Sequence, residues 1–230
     1  MRAQWIRKAA LLAVLFLVVP APAAPAAVAA SAPITGAGLT VDFYTALDLA
    51  AQGVAESTIG GSGHVDGDVN LKVAKGSSLT YGSELTGGRV LLLGGVRLTT
   101  ATDTVLISGM SVTIATGVIT AKVGGQVGVR VGQVTPAGIR AVKPARSTTV
   151  TFKLAENGIT LDDDFAAAVN DALGTSLSTG TAADATLDID VELVRGLAPD
   201  AALLAILGLD ADLTATELLA STVDVTLAGS

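Results

Sequence analysis

From Val65 to Lys153 apolar residues recur at every second position in one window after another. Val69, Leu71 and Val73 alternate with Asn70 and Lys72, and Ile119, Ala121 and Val123 alternate with Val118, Thr120 and Lys122. Val127, Val129 and Val131 alternate with Gly128, Arg130 and Gly132, and Val150, Phe152 and Leu154 with Thr149, Thr151 and Lys153. A period of two places one set of side chains on a single face of a strand, so these windows predict half-buried strands. Turn residues punctuate them at Gly87-Gly88, Thr102-Asp103, Thr116-Gly117, Pro136-Ala137-Gly138 and Glu156-Asn157-Gly158. With no helical windows interposed, the short spacing argues for antiparallel pairing. Gly94-Gly95 and Gly109 fall inside strand windows, where glycine permits a bulge or sharp coiling.

Helical windows flank the strands. Asp42 to Gln52 places Phe43, Leu47 and Ala50 on one stripe with Gly53 as a stop, and Asp162 to Leu173 does the same with Phe165, Val169 and Leu173 before Gly174. Shorter helices are expected over Pro199–Leu207 and Ala215–Ala220. Gly38-Leu-Thr-Val-Asp42 and Gly158-Ile-Thr-Leu-Asp162 form a weak internal repeat, each leading into a helix, a glycine stop and then an alternating strand.

The amino terminus has a different character. Arg2, Arg7 and Lys8 precede the uncharged apolar run Ala9–Val19, and Pro20, Pro22 and Pro25 interrupt any helix beyond it. That run has the length of a secretory core and is too short to span a bilayer. The small residues 26–30 offer cleavage after Ala29 or Ala30, so residues 1–30 are expected to be a signal peptide. The expected mature part, 31–230, reads as a single β-rich domain: a core over 31–196 and a C-terminal extension over 197–230 that docks on it.

Composition narrows the chemistry. The chain of 230 residues has no cysteine and one histidine, which excludes disulfide arrays and leaves little room for a multi-histidine zinc site or a Ser-His-Asp hydrolase. Removing Arg2, Arg7 and Lys8 from 14 basic residues leaves 11 against 21 acids, a net charge of -10. Ser31 to Arg146 carries 9 basic and 7 acidic residues, whereas Ser147 to Ser230 carries 2 and 14. So acidic a second half argues against nucleic acid as a partner. The longest apolar stretch of the mature part, Ala201–Leu209, is too short for a transmembrane anchor.

Candidate sites have structural alternatives. Asp66-Gly-Asp68-Val-Asn70 resembles the start of a calcium loop, but Leu71 and Ser77 stand where the loop needs glycine and glutamate. The same spacing lines the wet face of a strand, and that is the expectation here, as it is for Asp188, Asp190 and Glu192. Asp162, Asp163 and Asp164 suit a helix N-terminus, where the dipole favours negative charge. His64 follows a glycine-rich loop and reads as solvated. Neither a phosphate-cradling glycine motif nor a nucleophile elbow is present. No catalytic or metal site is expected, and the enzyme class is set aside.

The segment Gly94-Gly-Val-Arg-Leu-Thr-Thr-Ala-Thr-Asp-Thr-Val-Leu-Ile-Ser108, with the helix at Phe43-Tyr44, resembles the HtaA-type domain over roughly Leu39 to Leu193. The resemblance implies a secreted or surface β-rich module of actinobacterial type, some members of which bind haem. It places Tyr44 at the position of the iron-ligating tyrosine. Thr100-Ala-Thr-Asp103 stands where the supporting histidine is expected, and the tryptophan typical of the domain opening has no counterpart, Trp5 lying in the leader.

The expectation is therefore a mainly β protein, an antiparallel β-sandwich or curled sheet with a few short helices at its ends. Its expected function is that of a secreted or cell-envelope-associated, non-enzymatic binding or structural module with an extracellular or envelope partner and no cofactor. Haem, or another apolar ligand near Tyr44, is the alternative, and a carboxylate-dependent hydrolase is the third.

Overall fold

The computed structural model describes residues 29–134, 139–156, 158–178 and 182–227. The leader expected over 1–30 lies outside these residues except for Ala29 and Ala30, as do the Pro136-Ala137-Gly138 turn and Asn157. The chain is mainly β, as the alternation predicts. In order it forms β1 (Ala30–Val41), α1 (Phe43–Ala46), β2 (Ala55–Ile59), β3 (Gly63–Val65), β4 (Asp68–Leu71), β5 (Ser78–Tyr81), β6 (Leu85–Leu91), β7 (Gly95–Thr99) and β8 (Thr104–Thr113). There follow β9 (Val118–Val123), β10 (Gln126–Val134), β11 (Ile139–Lys143), β12 (Thr149–Ala155), β13 (Ile159–Leu161), α2 (Asp163–Leu173), β14 (Ala182–Ala183) and β15 (Ala185–Glu192). Last come β16 (Val194–Arg195), β17 (Ala198–Pro199), α3 (Ala201–Ile206), α4 (Ala215–Ala220) and β18 (Val223–Leu227).

Every strand pair among the described residues is antiparallel, and the main sheet runs β14-β13-β10-β9-β8-β6-β5-β1-β15-β12-β11-β18. Two long strands curl it. β1 pairs with β5 through Ala30–Pro33 and, beyond an irregularity between Thr35 and Gly38, with β4 through Leu39–Val41. β8 pairs with β7 up to Ser108 and with β6 from Ser111. Between those partners sits Gly109 at φ 59, a left-handed conformation that side chains with a Cβ rarely adopt. The expected kink is there, and it lets β8 change partners.

One hydrophobic cluster fills the space inside the curl. It takes in Leu39, Val41, Leu71, Val96, Val112, Val131, Phe152, Leu187 and Ile189, together with Phe43 and Phe165 from the helices. Leu203, Leu204, Leu207, Leu218 and Val223 from the C-terminal segment belong to it as well. The repeat has a structural counterpart. Asp42 and Asp162 each cap the helix that follows, accepting hydrogen bonds from the Thr45 and Asp164 amides. The rings of Phe43 and Phe165 meet with centroids 5.7 Å apart. Each unit also keeps a glycine against a neighbouring strand: a Cβ on Gly38 would lie 2.1 Å from the Leu71 carbonyl oxygen, and one on Gly158 2.4 Å from that of Ala183.

The structure corrects three local expectations. The first helix does not run from Asp42 to Gln52; it stops at Ala46, and Asp48 turns at φ 49. Leu47 and Leu49 are both buried, and residues two apart on a helix point about 200° apart, so unwinding buries both where a helix would expose one. Gly87-Gly88 is not a turn but part of β6, facing Thr80 and Leu79, and the chain reverses at 82–84 instead. A Cβ on Gly88 would sit 2.3 Å from the Ser78 carbonyl oxygen, so these glycines serve a close strand approach. The third correction concerns Asp66 to Asn70. They do not line one wet face, because Asp66 (φ 54) and Gly67 (φ 104) form the two-residue turn between β3 and β4. Positive φ at both central positions matches the twist of a tight hairpin, and Asp-Gly is favoured there. Asn70 is buried, donating to the Ala37 carbonyl and the Thr40 hydroxyl.

Candidate functional site

The sequence-predicted positions scatter over the fold. Tyr44 lies on α1 and is 45% exposed; Phe43, beside it, takes the place in the core. The other tyrosine, Tyr81, is fully buried, its hydroxyl donating to Asp200 Oδ2 (2.7 Å) and accepting from Arg195 Nη2 (2.6 Å). Burial, reinforced by the hydrogen bond to Asp200, pushes the Tyr81 phenol up to about 12. Arg195 also donates to the Ser31 carbonyl and pairs with Asp200 at 3.0 Å, while Asp200 caps α3. This group ties the start of β1 to the C-terminal segment. Sequence reading missed it, and spacings of over a hundred residues offer no local signal.

Asp188, Asp190 and Glu192 share one side of β15, as expected, but only Glu192 is exposed; Asp188 and Asp190 are half-buried, and burial raises the Asp188 carboxyl above its usual range. Asp190 accepts from Thr151 at 2.6 Å, Glu192 from Thr149 at 3.1 Å, and Asp188 faces Lys153 at 3.7 Å. The expected cap role of Asp162 is also seen, with an added ion pair to Arg130 at 3.0 Å.

One cluster does form. At the end of the curl where the β3–β4 hairpin meets the start of α1, Asp42, Glu56, His64 and Asp68 fall within electrostatic reach of one another, and Asp66 and Asp184 act on Asp68. A cleft of about 180 Å³ beside them is lined by Asp68, Asp184 and Glu156 with Thr40 and Thr186. His64 Nδ1 lies 3.1 Å from the Gly67 carbonyl oxygen across the hairpin turn. Among the described residues no group of three or more His, Asp or Glu side chains is arranged to hold a metal ion. Glu56 was not legible as a cluster member, because β2 shows no clear alternation and its pairing with β7 is a tertiary fact.

Glu56 carries the largest consequence of this cluster. Its Oε2 is shielded from solvent and has no hydrogen-bond partner. Burial first, then the charges of Asp42 and Asp68, raise its carboxyl to about 7 against the counteracting pull of His64. The folded state thus holds a proton up to about 7 that the unfolded chain releases near 4.5. Stability therefore falls as pH rises between those values. Glu56→Gln is expected to match the parent near pH 4.5 and to exceed it by about 1–2 kcal/mol at pH 8, after allowance for screening of a partly exposed group. Urea unfolding at both pH values checks this, and a difference independent of pH would refute the assignment.

Thr100–Asp103 closes the β7–β8 hairpin on itself: the Asp103 amide donates to Thr100 Oγ1 at 3.0 Å and Thr102 Oγ1 donates to Asp103 Oδ2 at 2.6 Å. Tyr44 presents its phenol at the surface, and His64 stays at its own turn against the Gly67 carbonyl oxygen.

No family model matches the chain, and no curated protein matches it in sequence. Among solved structures, the chain is similar to the C-terminal domain of HtaA from Corynebacterium glutamicum, at 11% identity and a TM-score of 0.46. That likeness covers 69% of this chain and 98% of the other, and it is a distant one in structure alone.

Proposed function

We propose that this protein is an exported, non-enzymatic binding or structural module of the extracellular space or cell envelope. The observation that carries the reading is the coincidence of two boundaries. Cleavage expected after Ala29 or Ala30 coincides with the first paired residues of β1, where Ala30 faces Tyr81 and Ser31 faces Thr80. Processing after Ala29 keeps all of β1 and processing after Ala30 removes only its first residue, and either keeps the Ser31 carbonyl that Arg195 grips. No helix of the described residues is long and apolar enough to cross a membrane. A binding role is favoured over a hydrolytic one because six of the acids have structural duties. Asp42, Asp162 and Asp200 cap helices, and Asp188, Asp190 and Glu192 meet partners on β12.

The test is the amino-terminal mass of the protein recovered from culture medium and envelope fractions. A chain beginning at Ala30 or Ser31 in those fractions is expected; an unprocessed chain confined to the cytoplasm would overturn the reading.

Haem at Tyr44 is the second reading. What favours it is that Tyr44 keeps an exposed phenol with no packing duty in the core. A haemin titration of the purified protein followed in the Soret region decides it. The missing histidine leads us to expect no saturable one-to-one shift; a shift that is abolished in Tyr44→Phe would establish haem binding instead.

A further inference from the structure

We propose that the groove between β10 and α2 is a docking site for an extended basic peptide, which adds to the sheet as a strand beside β10. The proposal deepens the binding-module reading above by naming its partner class. β9 pairs with β10 along its length, but on the other side β13 pairs only with Gly132–Val134. Gln126 to Arg130 therefore present an open edge, with main-chain donors and acceptors available for another strand.

The facing wall comes from α2. Asp164, Ala167, Ala168 and Asp171 follow the i, i+3, i+4, i+7 spacing that puts them on one helix face, and with Gln126–Arg130 they enclose a groove of about 330 Å³. The two alanines keep that wall shallow. On the strand side, the register slips between Val127 and Val129, and Gly128 at φ 78 leaves Val127 80% exposed, a large apolar side chain at the mouth of the groove. Neither lysine nor proline guards this edge.

Charge selects the occupant. Arg130 is already committed to Asp162 at 3.0 Å and to the Gln133 side chain at 2.7 Å. Asp164 and Asp171 have no ion-pair partner among the described residues, so the groove presents two open carboxylates about two helical turns apart. A second copy of this chain pairing edge to edge would bring its own Asp164 and Asp171 against these, in a molecule already strongly acidic. An extended segment alternating lysine or arginine with β-branched residues satisfies both walls: backbone to β10, cations to α2, apolar side chains to Val127.

The probe is a fluorescent nonapeptide of alternating lysine and valine, titrated into the purified protein by anisotropy, with amide hydrogen exchange locating the contact. The expected result is saturable binding that slows exchange over Gln126–Arg130. Affinity should fall at least tenfold in the Asp164→Asn, Asp171→Asn double variant and in Ala167→Phe, which fills the groove without changing charge. Replacing the central valine of the peptide with proline, which cannot complete the strand ladder, should also weaken binding. Absent binding, equal binding of an alternating glutamate-valine peptide, equal affinity of both protein variants or protection over a different segment would each overturn the proposal. Protection of Gln126–Arg130 that rises with protein concentration alone would assign the edge to a second copy and overturn it too. Export is read separately from the amino-terminal mass, so failure here leaves the exported-module reading standing on its own test.

Discussion

Phe165→Ala is expected to lower the unfolding free energy by about 3–5 kcal/mol, the range for removing a large aromatic side chain from a closed core. Phe165 is completely buried on α2, and its ring meets that of Phe43 from α1 at 5.7 Å. The two rings join the two halves of the internal repeat, so truncation opens a cavity where elements from both halves converge. Neither half can collapse freely to fill it. Asp42 holds the start of α1 and Asp162 the start of α2, while the adjoining strands β1 and β13 are fixed in the sheet. Chemical denaturation with far-UV detection measures the loss. The contrasting substitution is Tyr44→Ala, which removes a 45% exposed ring and is expected to change stability by no more than about 0.5 kcal/mol. Equal costs for the two would show that Phe165 is not the buried junction described above.

Gly95→Ala is expected to cost about 3 kcal/mol or more, at the upper end of what overpacking normally does. The added methyl would stand 2.0 Å from the Ile107 carbonyl oxygen and 3.1 Å from the Ser108 Cα. These are backbone atoms of β8, directly across from Gly95 in the β7–β8 ladder, so relief requires the two strands to part. Separation there would also disturb Ser62, whose hydroxyl donates to the Gly95 carbonyl at 2.6 Å and fastens the loop after β2. The control is Gly63→Ala, at a strand glycine with open space around its Cβ position, expected to be neutral within about 0.5 kcal/mol. Thermal unfolding of the two variants against the parent tests the pair. Comparable transitions for Gly95→Ala and the parent would mean that β7 and β8 do not approach as closely as described.

Both predictions depend on features of different legibility. The helix Asp163–Leu173 with its Asp162 cap and Gly174 stop was readable because cap, stripe and stop lie within a dozen residues and act locally. The same holds for α4 at Ala215–Ala220 and for the buried sets on β9 and β12. The first helix ends short of its stripe because Leu47 and Leu49 both compete for the core. The β3–β4 hairpin carries a local signal that competes with another. Asp66-Gly67 between alternating windows is a strong turn dipeptide, and the same aspartates also have the opening spacing of a calcium loop.

Strand alternation, the antiparallel class, the longest described helix with its caps, and the charge asymmetry between the two halves are written locally, because each follows from neighbouring residues or from counting. Long-range packing sets which strands share edges, makes β1 and β8 each change partners, and brings Tyr81, Arg195 and Asp200 together. It alone places Glu56 with His64 and Asp68, and leaves Gln126–Arg130 open beside α2. The difference is one of range. Side-chain period and capping act over a few residues, whereas strand pairing and the burial of charge arise from contacts between segments far apart in the chain, and no local pattern encodes which of many compatible edges will meet.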